Sequence, residues 1–236
     1  MKRMDKIKLL MKSLVYQGNW NYDNMQGTGF YYLLKSLRKL GYVKVDKQHL
    51  RENTGYFNTN PYFITIILGV WCKEYIDGLN TKFAKDVYSP ALSGLGDRFF
   101  WHTLKPLTFI ISVIICFYDP LLSLIFYLLF FNIFHFFFLY NGFDIGYNYG
   151  KNVIEWFNKI RFNKWNTYGE VVILFAAGVF LALLYKNQIY NTDYSILLIY
   201  VIILLVTLLI VKKIYISLAL FVYTTLLLIN LVVGLY

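Results

Sequence analysis

The 236-residue chain is 58% hydrophobic and 20% aromatic, with only 15% of its residues charged, whereas soluble domains carry about a quarter. A mean hydropathy of +0.49 excludes an ordinary soluble domain and predicts an all-α integral membrane protein. The net charge of +10 is then read as a topological surplus, with no nucleic acid as partner.

That surplus is uneven. Residues 1–106 hold 16 Lys/Arg against 8 Asp/Glu, and residues 107–236 hold 7 against 5. The basic half is expected to face the cytoplasm, where anionic headgroups favour it. Two regions follow: residues 1–106, amphipathic or re-entrant, and residues 107–236, transmembrane with a polar cytoplasmic loop at 141–170. Lysines interrupt the apolar residues of the first turns, so no cleavable signal peptide is expected.

Ile7, Leu10, Met11 and Leu14 recur at helical spacing among the N-terminal lysines. They predict an amphipathic helix lying on the inner membrane surface. A polar and aromatic stretch, Gly18–Phe30, leads to a second basic helix with Leu33, Leu34, Leu37 and Leu40 on one side.

Tyr56-Phe57-Asn58-Thr59-Asn60-Pro61-Tyr62 then sets uncharged donors and acceptors between aromatics, which suits a neutral polyhydroxylated ligand. The same residues also read as a polar loop closed by an Asn-Pro turn, and the stretch alone leaves both open. The apolar run behind it, Phe63–Cys72, is ten residues long and as a helix reaches roughly 15 Å, half the hydrocarbon thickness. A re-entrant or protein-covered segment is expected, with a cavity near Asn58 and Asn60.

Downstream, Ser89–Pro106 combines small residues, two glycines and an Asp97–Arg98 pair between prolines. Asp97 is either a salt-bridged structural residue or a polar group lining a path. Leu107–Tyr118 is short for a span, Leu121–Tyr140 long enough. Asn132 and His135 share a face of the latter, with helix-to-helix hydrogen bonding favoured over catalysis. Val171–Tyr185, Ser195–Val211 and Ile214–Tyr236 complete about five C-terminal transmembrane helices if Leu107–Tyr118 crosses. Cys72 and Cys116 lack metal or disulfide spacing, and no nucleotide, zinc-protease or nucleophile-elbow motif occurs. No metal, cofactor or catalytic residue is expected.

Taken together, three blocks are recognisable in order: Asn21-Tyr22-x-x-Met25-Gln26-x-x-Gly29-Phe30, Phe57-Asn58-Thr59-Asn60-Pro61-Tyr62, and Pro90–Asp97 continuing to Trp101-x-Thr103-Leu104-x-Pro106. With Phe131-Asn132-x-x-His135 and Gly142-x-x-x-Gly146-Tyr147-x-x-Gly150, the whole chain resembles the IID membrane subunit of the mannose/fructose/sorbose family of the sugar phosphotransferase system. The resemblance implies a bacterial cytoplasmic-membrane, multi-pass subunit that pairs with a IIC membrane subunit in a higher oligomer. A hexose would bind between the two and be phosphorylated by a cytoplasmic IIB protein, itself phosphorylated by IIA. The phosphoryl-carrying histidines belong to IIA and IIB, so none is expected here.

The site candidates under this reading are Asn58, Thr59 and Asn60 with Asp97, then Trp20 or Trp101 for stacking, and Asn21 and Gln26. Interface anchoring remains open for the tryptophans, and helix capping for Asn21 and Gln26. Arg98 stands where the family has a small residue, His102 where it has glycine, and Lys105 where it has arginine. His49 lies too far ahead of Asn58 to carry over a role. Arg98 and the shortened stretches between Cys72 and Ser89 and after Gly150 motivate a second reading, a membrane scaffold that has lost transport; a third is an enzyme using His135 or His102.

Overall fold

The computed structural model describes residues 1–82 and 84–188, with side-chain surroundings as far as Leu183. Residues Met1–Leu183 form one compact unit and Leu184–Tyr236 a second. The expected spans Ser195–Val211 and Ile214–Tyr236 lie outside the described residues.

Among the described residues there is no strand, and the regular elements are helices joined by turns and short loops. They comprise α1 (Arg3–Ser13), α2 (Gly27–Lys39), α3 (Lys47–Glu52), α4 (Ile64–Ile76), α5 (Ser89–Asp97), α6 (Lys105–Cys116), α7 (Pro120–Tyr149), α8 (Val153–Lys159) and α9 (Phe162–Gln188). Two helical stretches, Ala84–Cys116 and Pro120–Leu183, are long and apolar enough to cross a membrane by length and composition. The chain is an all-α membrane protein.

Helix α4 is the hub. Every residue from Ile64 to Cys72 is buried, so the short apolar run is covered by protein, chiefly by α7. The two helices approach closely because Gly69 on α4 lies against Phe143, Gly146 and Tyr147 of α7, while Gly142 and Gly146 on α7 lie against Thr65, Ile66 and Val70 of α4. A Cβ on Gly69 would stand 2.6 Å from the Tyr147 nitrogen, and one on Gly146 would stand 2.9 Å from the Val70 nitrogen. Small residues thus substitute backbone contact for the side-chain interdigitation of ordinary helix pairs. Thr65 Oγ1 donates to the Phe138 carbonyl at 3.1 Å across the same seam.

An aromatic cluster ties the start of α4 and the π-helical stretch Arg98–Leu104 to α7, α8 and α9. Phe63 packs edge-on to Phe138 at 4.9 Å, Phe99 against Phe162 at 4.9 Å, and Phe157 against Phe162 at 5.1 Å. Edge-to-face aromatic pairs of this spacing add to area burial.

The expected N-terminal helix forms; it buries Leu9 and Ser13 against the protein and leaves Ile7, Met11 and Leu14 exposed. Its apolar arc is wider than the stripe read from the sequence, and the packed side is the neighbouring one. Helix α2 does bury Leu33, Leu34 and Leu37. Leu107–Tyr118 is not an isolated short run, because α6 continues a helical stretch beginning at Ala84. π-helical turns at Ala84–Tyr88 and Arg98–Leu104 carry the backbone past Pro90 and Pro106. Residues 141–170 are mostly helix: α7 runs on to Tyr149, where Gly150 at φ 49° ends it, and α8 and α9 follow.

Helix α7 begins as the Asp-Pro turn suggests. Asp119 Oδ1 accepts from the Leu121 and Leu122 amides at 2.9 and 3.1 Å, with Pro120 at the first helical position.

Glu74, near the end of α4, is 3% exposed and accepts the Ala84 amide at 3.2 Å. Burial pushes its carboxyl up to about 7, the amide hydrogen bond opposing that rise. The folded state therefore holds a proton here that the unfolded state has released. Stability falls as pH climbs from the ordinary glutamate value towards 7, and is level above. Glu74→Gln keeps an acceptor for the Ala84 amide and removes the buried charge. Its melting temperature in detergent should exceed the parent's at pH 8, with the gap closing towards pH 5. A gap independent of pH contradicts this assignment.

Candidate functional site

The three polar blocks, far apart in sequence, meet at one place. Blocks one and two pair by backbone. The Gln26 amide donates to the Phe57 carbonyl at 2.8 Å, and the Phe57 amide to the Asn24 carbonyl at 3.2 Å. The Gln26 side chain completes the join, donating Nε2 to the Thr59 carbonyl and accepting the Thr59 amide, both at 3.0 Å. Ser89, immediately ahead of block three, closes on block two through hydroxyls: its Oγ donates to the Asn58 carbonyl at 2.6 Å, and Thr59 Oγ1 donates to the Ser89 carbonyl at 3.2 Å.

Asn60 locks this arrangement. It is 1% exposed, its Oδ1 accepts the Tyr62 amide at 3.1 Å, and its Nδ2 donates to Asp97 Oδ1 at 2.8 Å. Gly96 makes room for it, since a Cβ there would stand 2.5 Å from Asn60 Cγ. Ser93, one helical turn before Asp97, donates to the other carboxylate oxygen at 3.3 Å. A carboxylate offers about four acceptor positions, so two such bonds leave Asp97 with acceptor capacity unused.

These contacts frame a cleft of about 490 Å³ whose lining includes Gln26, Asn58, Thr59, Ser93, Asp97 and Trp101. Among its described lining residues the Asp97 carboxylate is the one full charge when His135 is neutral, and none is lysine or arginine. The cleft can therefore offer hydrogen bonds to neutral hydroxyls and has no cation to hold a phosphate.

The predicted residues divide by what they do. Asn58 is exposed and lines the cleft, and its side-chain amide has no partner among the described residues. Thr59, Asn60 and Gln26 are buried and engaged in the bonds above, which hold the wall in place. Gln26 precedes α2 yet makes no side-chain cap there. Asn21 lies outside the cleft lining: its Oδ1 accepts the Asp23 and Asn24 amides, both at 3.0 Å, which folds the loop. Trp20 also stands off the cleft, edge-on to Tyr22 at 4.9 Å.

Trp101 does line it, with the Lys105 ammonium over its ring at 5.5 Å and Tyr62 at 5.6 Å. Tyr62 and His135 complete this aromatic wall, their rings 4.6 Å apart. Tyr62 reads in the sequence as an ordinary member of an aromatic-rich chain, its place beside the Asn60-Pro61 turn being the available signal, and His135 reads as a hydrogen-bonding residue between helices or, in the enzyme reading, a catalytic one. The expected helix-to-helix hydrogen bond of His135 is replaced by one within α7, between its Nδ1 and Asn132 Oδ1 at 3.2 Å. Its contact across helices is aromatic.

Asp97 is not salt-bridged among the described residues. Arg98 points elsewhere and pairs with Glu170 at 3.5 Å, and neither Arg98 nor His102 is part of the cleft lining.

The family model described as "PTS system mannose/fructose/sorbose family IID component" matches residues 1–236. The mannose-specific EIID component of Escherichia coli (strain K12) is 28% identical over 159 residues, 62% of this chain and 56% of that protein. The sorbose-specific EIID component of Klebsiella pneumoniae is 22% identical over 186 residues, 74% of this chain and 68% of that one. The match thus spans about half the length of the mannose-specific relative. Among solved structures, a chain of the mannose transporter ManYZ with microcin E492 superposes with a TM-score of 0.55 at 25% identity, covering 76% of this chain and 69% of that one. A chain described only as a membrane protein gives 0.64 at 21% identity, covering 95% of each, and shows a shared fold. A whole-length family match, an all-helical membrane fold and the meeting of the three blocks agree: the chain belongs to the mannose/fructose/sorbose family of phosphotransferase-system IID components.

Proposed function

We propose that this chain is the IID subunit of a bacterial sugar permease, seated as a multi-pass protein in the cytoplasmic membrane with its basic N-terminal half inside. It pairs with a IIC subunit, in a larger oligomer, to pass a hexose that a IIB protein, recharged by IIA, phosphorylates on entry. The polar cleft is this chain's share of the sugar site. The observation that carries the reading is the convergence of three separate blocks on one cleft in which Asn58 keeps its amide free.

The chemistry fits an unphosphorylated sugar. Asn58 supplies donors and an acceptor, Asp97 a strong acceptor, and the Tyr62–Trp101 wall an apolar surface for a pyranose face. The absence of cations among the described lining residues fits release of a sugar phosphate. The scaffold reading drew on Arg98 as an obstruction, and Arg98 stands outside the cleft lining, paired with Glu170.

Asn58→Ala tests the site. A side-chain amide making two neutral hydrogen bonds contributes roughly 1–2 kcal/mol, so hexose uptake by cells with the cognate subunits should show about a tenfold higher half-saturation. Membrane abundance should be unchanged, because the Asn58 side chain bonds no other described residue and alanine keeps the backbone carbonyl that accepts from Ser89. Parental half-saturation in this variant would remove Asn58 from the site.

A further inference from the structure

A fourth segment contributes to the cleft, and no sequence block drew attention to it. Ser13, Leu14, Tyr16 and Gln17, from the end of α1 and the 3₁₀ turn Tyr16–Asn19, belong to the lining. Tyr16 is unusual among them. It is 3% exposed, and its hydroxyl has no hydrogen-bond partner among the described residues. Of the other wall hydroxyls, Ser13 donates to the Leu9 carbonyl at 2.8 Å, Thr59 to Ser89 at 3.2 Å and Ser93 to Asp97 at 3.3 Å, and Tyr62 is only half-buried.

A buried hydroxyl without a partner is destabilising, and a phenylalanine would fill the same space without it. Burial also pushes the phenol pKa up, so the group is a neutral O–H able both to donate and to accept. The first block is shaped around it. A Cβ on Gly29 would stand 2.8 Å from the Tyr16 carbonyl carbon and 3.1 Å from its Cδ2, so this glycine lets Tyr16 lie directly against α2.

We propose that the Tyr16 hydroxyl is a specificity-determining group of the cleft, hydrogen-bonding one hydroxyl of the bound hexose. The proposal rests on the cleft being the sugar site. The hydroxyl is closed off from solvent in the empty protein, so a hexose engages it through a shift of the Tyr16 ring at the cleft wall, and then satisfies a group that the empty protein leaves unpaired. A hexose lacking the matching hydroxyl leaves Tyr16 unpaired still, which is how polar sites reject deoxy analogues.

The test uses the full chain co-purified with its IIC partner, parental and Tyr16→Phe. Binding is titrated with mannose, fructose and sorbose, and then with each monodeoxy form of the sugar that binds best. Tyr16→Phe should weaken that sugar roughly five- to twentyfold, while the melting temperature without sugar stays level or rises. One monodeoxy sugar should bind the parental complex more weakly by the same factor, and lose nothing further in Tyr16→Phe. Parental affinity in Tyr16→Phe overturns the proposal, as does a loss accompanied by a lower sugar-free melting temperature, which marks a structural tyrosine. The deoxy series on parental protein decides the matter without any variant: if no monodeoxy form binds more weakly, the proposal fails. Binding that Asn58→Ala weakens and Tyr16→Phe does not overturns this proposal alone. No hexose binding to the parental complex overturns the cleft assignment and this proposal with it.

Discussion

Gly146→Val should fail to yield folded protein. The new Cβ would stand 2.9 Å from both the Ile66 carbonyl carbon and the Val70 nitrogen, and those are backbone atoms of α4, the most enclosed helix of the compact unit. Overpacking a core by a few methyl groups typically costs about 1–3 kcal/mol when side chains can shift. Here no flexible side chain can yield, and separating the helices would open the α4–α7 seam along its length. The loss should therefore exceed that range and be comparable with the roughly 5–15 kcal/mol of a whole domain's stability. Membrane-inserted, monodisperse protein should fall at least tenfold in detergent extracts, and any remainder should melt well below the parent. Gly94→Ala is the matched control. It also changes a helical glycine, but a Cβ there meets nothing within 4 Å, so melting should stay level or rise slightly. Parental yield and melting from Gly146→Val would show that the two helices are not pressed together as described.

That seam also shows where the sequence is informative. Ten apolar residues are too few to span a membrane, so Phe63–Cys72 could be recognised as covered before its cover was known. The cover depends on α7 meeting α4 across more than seventy residues of chain, and local patterning carries no information on such pairing. The Gly142–Gly146 spacing was visible, but its partner Gly69 sits unremarked within an apolar run. On α1 the apolar arc was legible and its packed edge was not, since α1 offers both Leu9 and the Ile7–Met11–Leu14 stripe. Residues 141–170 read as a loop because they are polar, and polarity on the outer turns of a helix looks the same as polarity in a connection.

The site was legible in part for the same reason. Asn58, Asn60, Gln26 and Asp97 stand out as polar residues in an apolar chain. Which of them the protein uses for its own bonds depends on distances between blocks. Asn60 and Gln26 hold backbone and carboxylate in place, and the side chain of Asn58, two residues from Asn60, bonds no other described residue. Tyr16 carries no sequence signal at all, being one of 22 tyrosines. Only its burial and unpartnered hydroxyl distinguish it.

Asp97 is where fold and proposed function are joined, and two substitutions separate them. Asp97→Ala removes the partner of a buried amide. Asn60 Nδ2 would be left without its acceptor, at about 1–3 kcal/mol, and Ser93 Oγ would lose its carboxylate. This variant should melt several degrees below the parent, and its hexose uptake should fall at least tenfold. Asp97→Asn is milder to the fold. Its carbonyl oxygen can accept from Asn60, and its amino group can donate to Ser93 Oγ, so both bonds persist with one reversed. What it lacks is the charge. A hydrogen bond from a sugar hydroxyl to a carboxylate contributes roughly 1.5–3 kcal/mol, so Asp97→Asn should bind hexose about ten- to a hundredfold more weakly while melting close to the parent. Melting curves and sugar titrations on the two variants, purified with the IIC partner, give four values to set against this account. If Asp97→Asn binds sugar as the parent does, the carboxylate serves the clamp on Asn60 alone, and recognition falls to Asn58 and the aromatic wall. If Asp97→Asn melts as low as Asp97→Ala, the charge itself holds the blocks together, and loss of uptake in either variant follows from loss of the cleft.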